Sequence, residues 1–317
     1  MAGTTFTAKV DRVVDGDTVR ILIDGESESV RILALDTEET RAGSKPKTPL
    51  GTIASDRAKA LLSPGDEVEV MLPGNEPLEV ALKKYRGNFG RLLTYITLPD
   101  GRDFQEVMIR EGMSPYFQKY GYAHFQARHT RYVDAERAAQ AEARGVWDQL
   151  RFNGSVMRAY APLCTWWDLR ARIIEGYREI KRRVPEANLF NTRNDYDRLT
   201  AIAEAGEETT VFMELRDFTP TSGDHILFFT GSREQPYQLF IPHGNAEKGA
   251  DILNFLLTRY VAGGETEPRR SYAYVTGKTK MFDGRPEIVV TSLDQITDWP
   301  DAALERAVST LAGPVSG

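Results

Sequence analysis

Apolar and polar residues alternate from the first dozen positions of the chain. FTAKVDRVV (6–14) and TVRILID (18–24) keep a period of two, the spacing that turns one face of a strand toward a core. Asp24-Gly25, between TVRILID and the strand pattern ending in SVRILALDT, is a two-residue hairpin signal. The first 35 residues therefore predict three strands. RAGSKPKTPL (41–50), rich in Gly, Pro and Lys, predicts a mobile loop, and GTIASDRAKALL (51–62) has helical spacing. DEVEVML (66–72) reads as a strand, residues 73–87 as a turn-rich and partly basic connection, and the segment from Gly90 as a strand running into a Pro-Asp-Gly turn. FQEVMIREG (104–112) predicts a short helix closed by Gly112, and residues 122–147 a long one ending at Gly145-Val146-Trp147. Three strands, a helix, two strands and two helices predict a small mixed β-barrel with helices packed on it.

The pattern then changes twice. TWWDLRARIIEGYREIKRRV (165–184) has helical spacing, with Trp167, Ile174 and Tyr177 among its apolar positions and a basic face, and predicts a connecting helix or helix pair. From about residue 208 strands return: TTVFMELRDF, HILFFTG and YQLFIP, then the helical AEKGADILNFLLTRYV, then two strands around Asp283-Gly284. Three strands, a helix and two strands are one way to build a five-stranded OB barrel. The fold expected is mainly β with helices (α+β). A five-stranded OB-type barrel with three helices covers residues 1–150, a helical connector 151–204, a second OB-like barrel 205–300, and a C-terminal helix or tail 301–317.

Composition narrows the function classes. The 317 residues are 41% hydrophobic and 27% charged, which suits a globular chain and excludes collagenous, fully disordered and disulfide-stapled ones. A single cysteine, Cys164, excludes an intrachain disulfide. No stretch of about 18 apolar residues occurs, so no membrane span is expected. The opening MAGTTFTAKVDRVVDGD carries no signal-peptide pattern, so a cytoplasmic location is expected. The net charge of −6 is uneven: −3 over residues 1–150, +4 over 151–198 and −7 over 199–317. Contact with a polyanion must therefore be local, and the acidic last third argues against broad phosphate binding there.

Chemistry-bearing residues cluster in the first meander. Asp17 lies in DGDT (15–18), Arg31 opens RILALDTEET, and Asp36, Thr37 and Glu39 follow within eight residues; Arg91 lies in NFGRLL. Phosphodiester hydrolysis needs such a set. A hard cation takes oxygen ligands, a carboxylate positions water, and two guanidinium forks hold phosphate oxygens.

VVDGDTVRI, VRILALDTEET and FGRLL, in this order, resemble the thermonuclease (staphylococcal nuclease-like) family over roughly residues 6–147. The resemblance implies an OB-type five-stranded barrel with three helices, and calcium-dependent hydrolysis of DNA and/or RNA. It implies Ca²⁺ carboxylates at Asp17 and Asp36, a metal-binding backbone carbonyl at Thr37, a water-activating Glu39, and phosphate-binding Arg31 and Arg91. Where that family usually reads DTPE, this chain has Glu38 in place of the proline. The change removes a φ constraint beside the base and leaves Glu38 as a rival to Glu39 for that role. Lys83, Lys84, Tyr85 and Phe89 loosely match the family's basic-aromatic segment and are candidate substrate contacts, with Tyr120 as a stacking candidate. The alternative reading is a non-catalytic nucleic-acid-binding or protein-interaction module built from two OB-type barrels.

Other prominent residues take plainer roles. His124 and His129 lie five apart, off the i, i+4 spacing of helical zinc sites, and read as surface or core residues. Cys164 reads as an inert thiol, Trp166-Trp167 as packing, and the basic helix 169–183 as a solvated face. The segment SYAYVTGKTKMFDGRPEIVVTSLDQI more faintly resembles the last hairpin of nucleic-acid-binding OB domains. The partner of the C-terminal part is left open.

Overall fold

The structure, a computed structural model, describes residues 3–41, 47–148, 158–232, 235–246, 249–299, 302 and 304–305. Part of the expected 41–50 loop, the start of the expected connector and most of the expected C-terminal tail lie outside the described residues. The chain divides into two compact units, residues 1–168 and 169–317.

In the first unit the alternating segments become β1 (Thr5–Val13), β2 (Thr18–Ile23) and β3 (Glu26–Ile32), followed by helix α1 (Pro49–Leu61), β4 (Glu67–Met71), α2 (Leu78–Lys84) and β5 (Leu92–Thr97). The five strands close a barrel in the order β1-β2-β3-β5-β4. β1 reaches both neighbours. Its first half pairs with β4 and its second half with β2, and a bulge between Val10 and Arg12 lets it turn from one to the other. Only β3 and β5 run parallel. Apolar positions of the alternation point inward, so Val10, Val19, Ile21, Val30, Val70 and Ile96 are buried in one core. Thr48 caps α1 by accepting from the Gly51 N–H, and Pro49 opens it.

Helices α3 (Phe104–Arg110) and α4 (Gln126–Ala141) pack together on this barrel. The expected long helix 122–147 is shorter, because Ala143 turns left-handed at φ 48° just after it. The short α2 falls within the segment expected as connection. α5 (Tyr160–Arg183) begins in this unit.

The second unit carries β6 (Leu189–Asn191), α6 (Tyr196–Ala205), β7 (Glu208–Glu214), β8 (Asp217–Thr221), β9 (His225–Gly231) and β10 (Pro236–Ile241). Then come α7 (Ala250–Arg259), β11 (Tyr272–Phe282), β12 (Arg285–Val289) and β13 (Ile296–Thr297). Its sheet runs β6-β7-β11-β12-β10-β9-β8. The second barrel was expected as five strands; the segment TTVFMELRDF instead gives two, β7 and β8, interrupted at Leu215-Arg216. Leu215 there is buried, and its N–H bonds the Ser271 carbonyl at 2.7 Å, which carries the β7–β11 register one residue further before the chain changes partner to β9 at Asp217.

Taken together as one bent strand, β7 and β8 repeat the part of β1: one half pairs with β11, the other with β9. The parallel β10–β12 pair matches β3–β5. The second unit thus repeats the pairing circuit of the first. Its alternation divides the aromatics, with Phe228, Tyr237, Tyr272 and Tyr274 buried and Phe229 exposed.

The helical residues that drew attention are structural. Trp166 and Trp167 are buried, and the Cys164 thiol is pushed up by burial. The basic groups of α5 are largely engaged: Arg182 with Glu175 and Glu179, and the buried Arg170 with Glu214 and over the Tyr272 ring. His124 and His129 bond through Nδ1 to the Tyr95 and Tyr116 hydroxyls. Among the described residues, no helix is long and apolar enough to cross a membrane.

Candidate active site

The turn between β1 and β2 and the loop after β3 meet at one end of the first barrel. Asp17, in that turn, takes four hydrogen bonds or ion-pair contacts. Its Oδ1 accepts from Thr18 Oγ1 at 3.0 Å and pairs with Arg31, and its Oδ2 accepts from the Thr37 N–H at 3.0 Å and Thr37 Oγ1 at 3.2 Å. Pairing of Thr18 with Arg31 across β2 and β3 brings the guanidinium to this turn. Arg31 also reaches Asp36 Oδ1 at 3.0 Å, so one fork joins the two carboxylates. Arg91, one residue before β5, donates to Thr18 Oγ1 at 3.2 Å. The structure therefore brings Asp17, Arg31, Asp36, Thr37 and Arg91 into one site.

The loop 36–39 is closely fitted. A Cβ on Gly16 would lie 2.6 Å from Thr37 Cγ2, and one on Gly51 only 2.2 Å from the Glu39 carbonyl oxygen. Glycine at both positions lets the turn and helix α1 approach the loop from two sides. The Asp36 N–H donates to Ser114 Oγ at 2.9 Å, and the Thr48 N–H to the Glu39 carbonyl at 3.1 Å. Glu39 itself is partly exposed, whereas Glu38 is buried.

Charge shapes the site. Burial would lower the Arg31 pKa, but Asp17 and Asp36 outweigh it and hold it above the ordinary range. Arg91 is lowered, first by burial and then by repulsion from Arg31. Burial and the neighbouring Asp17 charge push Asp15 up to about 6.

Two residues that sequence reasoning missed complete the surroundings. Arg158 donates to Asp36 Oδ2 at 2.5 Å, to the Asp36 carbonyl at 3.2 Å and to Glu38 Oε1 at 3.2 Å. The buried Tyr160 hydroxyl donates to the same Glu38 oxygen. They lie about 120 positions from their partners, and no local pattern marks them.

The candidate substrate contacts are spread out. Lys84 pairs with Glu76 at 2.5 Å, and the Tyr85 hydroxyl donates to Glu76 at 2.7 Å, so both side chains have an internal partner. Lys83 is exposed on α2. Phe89 is 79% exposed, and the Arg91 guanidinium lies over its ring at 5.9 Å. Tyr120 is exposed and sits edge-on to Phe117 at 5.8 Å.

Among the described residues, no three His, Cys, Asp or Glu side chains are grouped to hold a metal. Asp17 and Asp36 nevertheless share the Arg31 fork, so two carboxylates with oxygen donors stand together at the site. That chemistry fits a hard divalent cation and not a soft one.

The family model "Staphylococcal nuclease homologue" matches residues 29–149. Endonuclease YncB of Bacillus subtilis (strain 168) is 32% identical over 157 residues, covering 46% of this chain and 67% of the relative. The SPbeta prophage-derived endonuclease YokF of the same organism is 32% identical over 151 residues, covering 46% of this chain and 45% of the relative. Thermonuclease of Staphylococcus hyicus is 30% identical over 144 residues, covering 44% of this chain and 75% of that protein. The matches cover less than half of this chain in each case. With its five-stranded barrel and the acid-arginine site at one end of it, the chain belongs to the staphylococcal nuclease homologues.

Proposed function

We propose that the first unit is a calcium-dependent nuclease that hydrolyses phosphodiester bonds of DNA and/or RNA by attack of water. The observation that carries this reading is the joining of Asp17 and Asp36 by Arg31, with Arg91 beside them through Thr18. Asp17, Asp36 and the Thr37 carbonyl would hold the Ca²⁺. When bound, such a cation supplies charge to polarise a phosphoryl oxygen and to orient water.

The chain's own residues do the rest. Arg31 and Arg91 bind the scissile phosphate through planar forks and stabilise the charge that grows on its oxygens. Glu39 accepts the proton of the attacking water; its partial exposure leaves the carboxylate open to solvent. Glu38 is unsuited to that task, because Arg158 and Tyr160 occupy it. Phe89, exposed beside Arg91, offers a ring on which a base next to the bound phosphate stacks. The endonuclease and thermonuclease names of the relatives support the same reading.

The test is digestion of labelled single-stranded DNA and RNA by the full chain, with Ca²⁺ or with chelator, beside Glu39→Gln. Cleavage that needs Ca²⁺ and falls at least 100-fold in the variant is the expected result, in the range seen for loss of a general base. Binding without cleavage would replace the enzyme by a non-catalytic nucleic-acid module.

A further inference from the structure

We propose that Arg158 and Tyr160 are positioning residues that fix the 36–39 loop by clamping Glu38. The loop is held on either side of that residue. Thr37 is tied to Asp17 through its N–H and hydroxyl, and the Glu39 carbonyl takes the Thr48 N–H. Between these ties, Glu38 turns inward with only 4% of its side chain accessible. A carboxylate that deeply buried needs partners, since without them it protonates or moves out to water.

Its partners come from about 120 residues further along the chain. Arg158 Nε and the Tyr160 hydroxyl converge on Glu38 Oε1, and Arg158 Nη2 donates to Tyr160 Oη at 2.9 Å. Two further bonds from Arg158 reach the Oδ2 and carbonyl oxygens of Asp36. The same guanidinium thus grips two residues of one loop. Tyr160 is itself seated edge-on to Trp147 at 6.2 Å and to Trp167 at 6.4 Å, so the clamp rests on a packed aromatic base.

If the clamp opens, Glu38 leaves its burial and carries its peptide neighbours Thr37 and Glu39 with it. These are the residues assigned above to the cation and to the water. The inference rests on the nuclease reading for its functional consequence, but the clamp itself is measurable without it.

The experiment compares the full chain with Arg158→Gln, Tyr160→Phe and the double variant Arg158→Gln with Glu38→Gln. Three readouts are taken: backbone hydrogen exchange over residues 36–41, calorimetric Ca²⁺ affinity without substrate, and kcat and KM on single-stranded DNA. For Arg158→Gln, loop exchange rises at least tenfold, Ca²⁺ binding weakens about tenfold, and kcat falls about tenfold with KM unchanged. Tyr160→Phe gives smaller changes of the same sign. The neutral double variant recovers part of the loss, because no charge is left buried without a partner.

Tighter Ca²⁺ binding in Arg158→Gln would overturn the proposal by making Arg158 a competitor of the cation. So would a raised KM with kcat and Ca²⁺ affinity unchanged, which would make it a phosphate grip. Unchanged loop exchange in both single variants would overturn it as well. An unsubstituted protein that binds no Ca²⁺ and cleaves nothing would overturn the nuclease reading instead, with loop exchange still deciding for or against the clamp.

Discussion

Arg91 shows how a single position can be tested apart from the fold. It is half-buried, and among the described residues its guanidinium donates to Thr18 and is not part of the apolar core, so its removal leaves the barrel core untouched. Arg91→Ala should lower kcat by about 10²–10³, or about 3–4 kcal/mol of transition-state stabilisation, with little change in melting temperature. Steady-state kinetics beside a thermal melt would show the split. Gly51→Ala works through a different cause. Its new Cβ would collide with the Glu39 carbonyl, and backbone cannot swing aside as the end of a side chain can. Activity should fall at least tenfold through displaced loop geometry, and a melt should record a loss of about 1–3 kcal/mol for the overpacking. The acid and arginine positions in this site were legible in the sequence, because they lie in short motifs of fixed order. Arg158 and Tyr160 were not, because a contact made across 120 residues leaves no periodicity to read.

Helix α4 carries a pH dependence of its own. Glu136 accepts the Tyr116 N–H at 2.8 Å, and burial pushes it up to about 7. A raised carboxyl pKa means the folded protein favours the protonated form. The contribution is fully present below the unfolded value of about 4.5 and is lost as pH rises through about 7. Stability should therefore decline across that window by about 1–3 kcal/mol, and Glu136→Gln should flatten the decline. Denaturant melts of both proteins from pH 4.5 to 8 check this; an equal slope in the variant would discard the assignment. Other elements differ in how plainly the sequence announces them. Strands β1 to β3 show clear alternation and a hairpin signal. Seven-residue α2 is too short for its period to stand out from the turn residues around it. The break between β7 and β8 marks the change of partner strand from β11 to β9, which local pattern cannot reveal.

The chain holds separate apolar cores in its two units, one within the first barrel and another around Val211, Leu239 and Ile288 in the second. Leu239→Ala removes a fully buried side chain from the second core and should cost that unit about 2–5 kcal/mol. Calorimetry should show the transition of the second unit moving down while nuclease turnover at low temperature stays within twofold. A matching loss of turnover would mean that the units depend on each other for stability. The overall plan of two OB-type circuits could be read from strand and helix order alone. No sequence repeat accompanies it, because barrel closure asks for apolar alternation and turn positions and accepts many residues that meet them.

The contact between Arg158 and Asp36 joins positions 122 residues apart. Translation delivers a chain from its N-terminus, so every strand of the first barrel is made before Arg158 exists. A barrel that folds on the ribosome would carry its reactive loop unpinned until the later segment arrives. The same holds for a shortened gene. The family match stops at residue 149, and a protein cut there would keep the barrel strands but lose the residues that steady its loop. For this chain, the residues proposed to steady the loop lie beyond the last residue that the family model matches.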